Sequence, residues 1–411
     1  MSEPILVLGS QSAATKDLLV AAHRDGHEVH LATHANLWSS QREFLREYVD
    51  TVVLTNFATP AGAIDELLTH VRTHDIRGVV TGWEFLGPLV TEVADRAGLP
   101  GNDATLAMAS RNKARMAHVL RGAGIAHPIT TAGTSPDSLL KTVKAAGMQP
   151  PFVVKPAENG GSVAVSVVAE YDGIVHAFRQ AERWTHEVPY GIPLDTSVLV
   201  QEYVPGPEVS VESVVAKGVV THLAVTAKDT TTGAIREELG HTIPARLEQE
   251  TEELLYATVE AGLRSVGVTN GVAHTEVKLP RDGVPTIIEI GARPPGGHIM
   301  RVLERATGVD MARCYLDVSL GLPPKVEGDT LGKVAAIRFL STDRTGRFDG
   351  VSVPPLGGGH TEIETYLAEG DMVGGDHQTW IRVGHVIVMG EDHASMTEGL
   401  DRVDDIEIKV G

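Results

Sequence analysis

Residues 272–300, VAHTEVKLPRDGVPTIIEIGARPPGGHIM, carry two glutamates and an arginine at spacings that chemistry could use. An alternating, β-branched run, VAHTEVKL, meets turn chemistry in PRDG and then a second extended run, VPTIIEIGAR. Folded back in even register, this hairpin sets Glu276 opposite or nearly opposite Glu289. His274, Lys278, Gly291 and Arg293 share that face, because strand side chains alternate with period two. Two carboxylates across a ladder, their β-carbons about 5 Å apart, repel each other. A cation is therefore expected between them, and a hard divalent ion such as Mg²⁺, which takes one or two carboxylates plus phosphate oxygens, is the economical choice. Arg293 would offer a planar fork to a phosphoryl or carboxylate group. The plain alternative is a hairpin whose charges face water, and residues elsewhere must decide between them.

Further candidates lie upstream. Lys155 ends the apolar run PFVVKP, where a lysine is costly without an anionic partner or a route to water. Gly160, Gly161 and Ser162 follow it directly, a small-residue loop whose amides could approach phosphates or that is simply a turn. The segment SVLVQEYVPGPEVSVESVV reads as two strands hinged at residues 205–207. Such a hinge exposes the backbone of Tyr203 and Val204, the kind of group an adenine edge needs, and Glu208 could accept ribose hydroxyls. Without those neighbours it would be a proline-stiffened hairpin with surface acids. Lys113 sits in a basic cluster with Arg111 and Arg115, which alone reads as a solvated helix face. After Arg293, Gly296 and Gly297 could present amides to a carboxylate and leave a roomy pocket.

These residues sit in a chain of 411, long enough for two or three domains. A net charge of −19 argues against nucleic-acid and anionic-membrane partners, which require basic patches, so an anionic ligand must be held by a few local cations. The start, MSEPILVLG, enters a strand without a basic, apolar leader, and nothing approaches a membrane span. A single cysteine, Cys314, forms no internal disulfide, and a reduced cytoplasmic setting is the expectation.

The positioning elements begin with strands at ILVL, HEVHLAT, VDTVVLTN and RGVVTG, separated by helical runs, an alternation that predicts an open, mostly parallel sheet. Its first turn, Gly9-Ser10-Gln11-Ser12, lacks the second and third glycines of a dinucleotide fingerprint, so a Rossmann-like domain without a nicotinamide site is expected. Then come a helix over 104–121, a strand over 127–131, a helix over 136–147 and a helix over 248–266 before the hairpin. A helix over 301–320 follows it, and from residue 331 the chain is β-rich, with a last helix over 393–403. Gly357-Gly358-Gly359 reads as a loop beside a surface histidine, His360.

Taken in order, Lys113, Lys155, the Gly160-Gly161-Ser162 loop, Glu202 to Val204, Glu208, Glu276, Glu289 and Arg293 resemble the ATP-grasp superfamily, over roughly residues 1–320 and more weakly beyond. Within it, the strings EELGHTIPARL, EIGARPPGGHI, ATGVDMARCYLDVSLG and RVGHVIVMGED resemble the carboxylate–amine ligases of the L-amino-acid (dipeptide) ligase type. The resemblance implies an α/β and α+β fold in three parts. Residues 1–105 would form the N-terminal Rossmann-like domain and 106–320 the ATP-grasp core, with linker elements over 106–150, a nucleotide-clamping lid over 151–215 and a catalytic part over 216–320. Residues 321–411 would be a β-rich C-terminal subdomain.

The same resemblance implies that Lys113 and Lys155 hold ATP phosphates under the glycine loop, that Glu202 with the Tyr203 and Val204 backbone reads adenine, and that Glu208 binds ribose. Glu276 and Glu289 would carry Mg²⁺, with Mn²⁺ able to substitute, and Arg293 would contact the transferring phosphoryl group. Glu238 and His241, in a string shared with the dipeptide ligases, could orient an amine or be ordinary strand-end polar residues. The implied reaction joins a carboxylate to an amine through an acyl phosphate. Stabilising the phosphoryl charge explains the lysines, arginine and metal in one small volume, and Arg293, Glu289 and Lys155 would be the catalytic set. Gly291 departs from the pattern, since many relatives place an asparagine ligand there. Two Mg²⁺ held less equally than usual is the expectation. Partners would be small acids and amines, with a homodimer an open option; a purine-pathway or carboxylating ligase and a non-catalytic nucleotide-binding protein are the alternatives.

Overall fold

A computed structural model describes residues 3–231, 238–328, 333–354, 360–374 and 381–411. Gly357, Gly358 and Gly359 lie outside the described residues, as does the side chain of His360.

Strands β1 (Pro4–Leu8), β2 (Glu28–Thr33), β3 (Thr51–Leu54) and β4 (Gly78–Thr81) form a parallel sheet in the order β3-β2-β1-β4, interleaved with α1 (Ala13–Arg24), α2 (Ala35–Leu45), α3 (Pro60–Thr73) and α4 (Gly87–Ala97). Ile5, Leu6, Val7 and Leu8 are all buried, as expected for a strand covered on both faces: Ile5 and Val7 pack with Leu18 and Leu19 of α1, Leu6 and Leu8 with Leu67 and Val71 of α3. Ser12 caps α1, accepting from the Thr15 amide at 3.0 Å. In the first turn the Ser10 amide donates to the Tyr190 hydroxyl at 2.6 Å, so a side chain from a later segment takes the amide that a phosphate-binding turn would offer.

The run expected as one helix over 104–121 is divided. A 3₁₀ turn, Ala104–Ser110, is followed by α5 (Lys113–Gly122), because Asn112 takes the N-cap position and accepts from the amides of Ala114 and Arg115, each at 3.0 Å. A small antiparallel sheet follows, β5 (Thr130–Gly133), β6 (Phe152–Pro156), β7 (Ser166–Val168) and β8 (Val198–Glu202), in the order β5-β8-β6-β7. It is backed by α6 (Pro136–Ala145) and α7 (Gly173–Ala181) over a core containing Phe152, Val154, Phe178 and Val200.

The large sheet runs β13-β12-β9-β10-β11-β14-β18-β16. Its strands are β9 (Glu208–Ala216), β10 (Val219–Thr230), β11 (Glu238–Ile243), β12 (Gly271–Lys278), β13 (Thr286–Gly291) and β14 (Val334–Thr342), then β16 (His360–Thr365) and β18 (Ile381–Gly390). Beside it lie β15 (Gly346–Ser352), β17 (Met372–Val373) and β19 (Glu407–Val410), a three-stranded sheet. α8 (Gln249–Ser265) covers one face with Leu255, Val259 and Leu263. The helix expected over 301–320 is two, α9 (Ile299–Thr307) and α10 (Met311–Ser319): Gly308 ends the first at φ +75°, and Asp310 caps the second by accepting from the Arg313 amide at 3.0 Å. The last helix, α11 (His393–Asp401), passes into a 3₁₀ turn at Val403–Asp405.

Two sheet boundaries differ from the expected spans. Thr130–Gly133 belongs with the small sheet, and Glu208–Ala216 with the large one. Residues 205–207 thus carry the chain from one sheet to the other instead of closing a hairpin. Gly206, at φ +114°, passes so close to Leu279 that a β-carbon would stand 2.3 Å from its carbonyl oxygen.

Candidate active site

The cleft between the small and large sheets gathers nearly all the residues singled out in the sequence. Lys113, Lys155, Gly160, Gly161, Ser162, Glu202, Tyr203, Val204, Glu208, Glu238, Glu276, Glu289, Arg293, Gly296 and Gly297 line it. His241 does not. It is buried behind Gly297, where a β-carbon would stand 2.7 Å from His241 Nε2, so its place is in the wall's support rather than on its surface.

The hairpin register is the expected one: Glu276 pairs with Glu289 and His274 with Gly291, before a bulge brings Val277 opposite Ile287. Each glutamate already has a lysine. Lys113 Nζ lies 3.0 Å from Glu289 Oε1. Lys228, from β10, reaches across β9 to donate to Glu276, with Glu208 and Glu238 each 3.3 Å away. Burial alone would raise the Glu276 pKa, but Lys228 and His274 outweigh it and hold the carboxyl well below the usual range. The Lys228 ammonium is correspondingly raised: burial opposes its charge, and the three carboxylates overcome that. Two carboxyl groups facing one another across a ladder are an all-oxygen donor set, which fits a hard divalent cation.

Lys113 is the first residue of α5 and is buried, so the solvated-face reading fails for it. Its amide donates to Ala157 O at 2.9 Å and its ammonium to Asn159 O at 2.6 Å, tying the helix to the glycine loop. Lys155, 5% exposed, has its ammonium drawn down to about 8 by burial, against the attraction of Glu289 and with the repulsion of Lys113. Gly160 passes against Glu84, where a β-carbon would be 2.8 Å from Oε2, and Gly161 and Ser162 are left-handed at φ +62° and +58°.

Glu84, in the 3₁₀ turn Glu84–Leu86 after β4, anchors the guanidinium groups. Arg293 Nη2 donates to its Oε2 at 2.8 Å, and Arg111 Nη1 to its Oε1 at 3.4 Å. Against burial, Arg293 and Arg111 hold the Glu84 carboxyl at about 2. Arg293 lies over Gly291, its Cζ 3.4 Å from where a β-carbon would stand, so a longer side chain at 291 would compete with the guanidinium for that space.

Behind the hairpin, His274 Nδ1 lies 2.9 Å from Glu212 Oε2 and its Nε2 3.5 Å from Glu276. Burial would lower the imidazole, but Glu212 carries it up to about 9. Glu212 also accepts from Ser210 Oγ at 2.7 Å and Thr226 Oγ1 at 3.2 Å, which satisfies a carboxylate buried in the sheet. Val153, Val165, Val167 and Ile288 also line the cleft, with Glu202, Tyr203 and Val204, and give it apolar surface suited to a flat ring.

Glu84, Lys228 and Glu212 were not singled out in the sequence. Lys228 carried a signal akin to that used for Lys155, a lone lysine following the partly apolar run LAVTA near the end of its strand. Glu84 follows a buried parallel strand at its C-terminal end, where crevices form in such sheets.

Comparison with known proteins agrees with this geometry. The ATP-grasp domain profile matches residues 148–301 and the ATP-grasp N-terminal domain profile residues 19–101. Alanine–anticapsin ligase of Bacillus subtilis is 23% identical over 248 residues, 57% of this chain and 52% of that protein. A D-alanine–D-alanine ligase of Anaeromyxobacter is 29% identical over 165 residues, 39% of this chain and 50% of that one. The chain thus spans about half the length of these curated relatives. The crystal structure of an L-amino acid ligase from Bacillus licheniformis superposes with a TM-score of 0.81 at 20% identity, covering 100% of this chain and 99% of that one. The chain carries an ATP-grasp N-terminal domain and an ATP-grasp domain, and resembles the amino-acid ligases of that superfamily.

Proposed function

We propose that the protein is an ATP-dependent ligase that joins a carboxylic acid, an amino acid or close relative, to an amine. The observation that carries this reading is the meeting of Lys113, Lys155 and Arg293 with the Glu276–Glu289 pair in one cleft. A protein that only held a nucleotide would not need every one of these groups for handling phosphoryl charge. The curated relatives named above are ligases of amino acids, in line with the same reading.

In this reading an oxygen of the acid attacks the γ-phosphorus of ATP, the bond to the β-phosphate breaks, and acyl phosphate and ADP form. The amine then attacks the acyl carbon, phosphate leaves, and an amide remains. Lys155 and Lys113 hold the phosphates, and Gly160, Gly161 and Ser162 close over them. Glu202, Tyr203 and Val204 edge the adenine, and Glu208 takes the ribose. Arg293 stays aligned through Glu84 and meets charge as it develops on the phosphoryl oxygens. Glu276 and Glu289 would hold Mg²⁺, or Mn²⁺ in its place, which supplies further neutralisation of the phosphates when bound. Glu238, Gly296 and Gly297 line the same cleft and would orient the acceptor, with His241 supporting Gly297 from behind.

The small sheet serves as the clamping lid, swinging on residues 205–207. The single cysteine, Cys314, is free and buried, in line with a reducing cytoplasm. Among the described residues no helix is long and apolar enough to cross a membrane. The protein's acidity leaves nucleic acid outside its partners, and sedimentation would show whether it works as a homodimer.

The test is ADP and phosphate release with Mg-ATP over amino acids, singly and in pairs, with mass detection of the product. Amide formed in step with ADP supports the ligase. Release stimulated by bicarbonate alone, without amide, would move the protein to the carboxylating ligases, and no release with any mixture would leave a nucleotide-binding protein.

A further inference from the structure

Three histidines outside the cleft converge between β2 and the end of α3. His30 lies on β2, His70 in the last turn of α3, and His74 at its C-cap. His70 and His74 are four apart and share a helix face. Their rings stack with centroids 4.2 Å apart, and the His30 ring lies 4.9 Å from the first and 5.1 Å from the second. One ring nitrogen from each falls within a group no wider than 4.8 Å. Burial is graded outward, from His30 in the interior through half-buried His70 to exposed His74, so the group has a floor and an open side.

Packing alone gives no reason for this arrangement. The neighbours of His30 on its strand, Val29, Leu31 and Ala32, are buried and apolar, and an apolar residue would fill its place without polar atoms to satisfy. Instead His30 Nε2 lies 3.0 Å from Glu28 Oε1, and His30 Nδ1 lies 2.8 Å from His70 Nε2. A carboxylate accepts only, so the His30 proton belongs on Nε2, and Nδ1 turns its lone pair toward His70. This is how a metal-ligating imidazole is oriented: one nitrogen donates to a carboxylate and the other faces the ion. Burial, with His74 and His30 adding to it, pushes His70 down to about 4, so it is neutral near pH 7.

We propose that His30, His70 and His74 bind a borderline divalent transition-metal ion of the zinc class, with Glu28 orienting His30 from outside and the remaining position open to water. The ion takes the place of the proton that His70 Nε2 shares with His30 Nδ1; solvent takes that proton and returns one to His70 Nδ1, so His70 stays a neutral imidazole in its other tautomer. Ring nitrogens about 2.0–2.1 Å from a tetrahedral ion stand roughly 3.3 Å apart. The 2.8 Å contact must therefore open, which half-buried His70 and exposed His74 can accommodate. Three imidazoles favour zinc, cobalt or nickel over magnesium, so this site would not draw on the ion held by the cleft glutamates. A bound ion would pin the end of α3 to β2.

Chelator-treated protein titrated with Co²⁺ tests this through the visible absorption of the bound ion, followed by displacement with Zn²⁺. Wild type is expected to take up one equivalent per chain in a site that Zn²⁺ empties, and to melt at a higher temperature with Zn²⁺. His74→Gln, at an exposed position, should keep the fold and lose that equivalent along with the Zn²⁺-dependent shift in melting. Glu28→Gln should bind Co²⁺ roughly tenfold or more weakly. Because the chain has 18 histidines, the difference between proteins decides. Absence of the equivalent in wild type overturns the proposal, and so does its retention, at unchanged affinity, in both His74→Gln and His70→Gln.

Discussion

Lys228 donates to the carboxylate of Glu276 from two strands away, and its ammonium is shared with Glu208 and Glu238. Charge repulsion between Glu276 and Glu289 calls for a cation, and the fold supplies two of its own, Lys228 for one glutamate and Lys113 for the other. Under the proposed function, a divalent ion and a nucleotide would enter a site whose charges are already paired, and the lysines would exchange partners as they do so.

Replacing Lys228 by Met should expose that exchange. Three carboxylates would then crowd one buried volume without their ammonium, and the melting temperature should fall by several degrees, since stranding buried charge is costly. Added Mg²⁺ should restore part of the loss and raise the melting temperature more in Lys228→Met than in wild type, because the freed carboxylates compete for it. Differential scanning fluorimetry across a Mg²⁺ series reads this directly, and equal shifts in the two proteins would remove Lys228 from the account of the metal site.

The two glycines after Arg293 should behave differently. Gly296 has open space where a β-carbon would go, whereas Gly297 is left-handed at φ +61° and faces His241. Any side chain at 297 must strain the backbone and displace a buried imidazole, so it is a poor probe of substrate size. Gly296→Trp should keep the melting temperature within a few degrees and shift kcat/KM toward smaller acids or amines. Gly297→Ala should lower melting temperature and activity across the whole substrate panel. Identical substrate profiles for Gly296→Trp and wild type would show that residue 296 does not border the substrate.

How much of this the sequence disclosed varied with the source of order. The hairpin register was legible because side-chain alternation and the PRDG turn agree, and a one-residue slip would have turned Glu276 away from the cleft. Its bulge after Glu276 left no local sign. Taken alone, Lys113 reads as part of a solvated helix face because residues 104–121 look continuously helical; the resemblance singled it out, and only the capping hydrogen bonds of Asn112, itself held by Glu158 and Asp195 at 2.9 Å each, reveal where the helix starts. Glu84 could not be placed, since its role depends on Arg293 reaching it across 209 residues of chain. The C-terminal strands were expected as a separate β-rich part, yet β14, β18 and β16 extend the large sheet, a pairing that no local pattern specifies.

Glu289→Gln should separate binding from chemistry. The residue faces Lys113 at 3.0 Å, and under the proposed function its charge would matter most while the phosphoryl group moves. Turnover should fall at least 100-fold, a transition-state loss of about 2.7 kcal/mol or more, while ADP affinity changes only a few-fold. Calorimetric binding together with single-turnover ADP release checks both halves, and normal turnover would end the assignment of Glu289 to the metal and phosphoryl face.

Nucleotide binding should take up a proton above neutral pH, and Lys155 is the group responsible. Burial, Glu289 and Lys113 together leave its ammonium at about 8 in the free protein, below the ordinary lysine value. Phosphates brought beside it favour the charged form, so its pKa rises on binding. Between the free and bound values the complex carries more proton than the separate partners, and affinity falls as pH climbs through about 8. The loss approaches tenfold for each pH unit and ends once the bound pKa is passed. At pH well below 8 the lysine is charged in both states, and no uptake is expected. Titrating ADP at fixed Mg²⁺ near pH 9, in buffers of different ionisation heat, gives the protons taken up per nucleotide. Lys155→Met should bind ADP more weakly and show an uptake smaller by up to one proton. An uptake unchanged by that substitution would place the titrating group elsewhere.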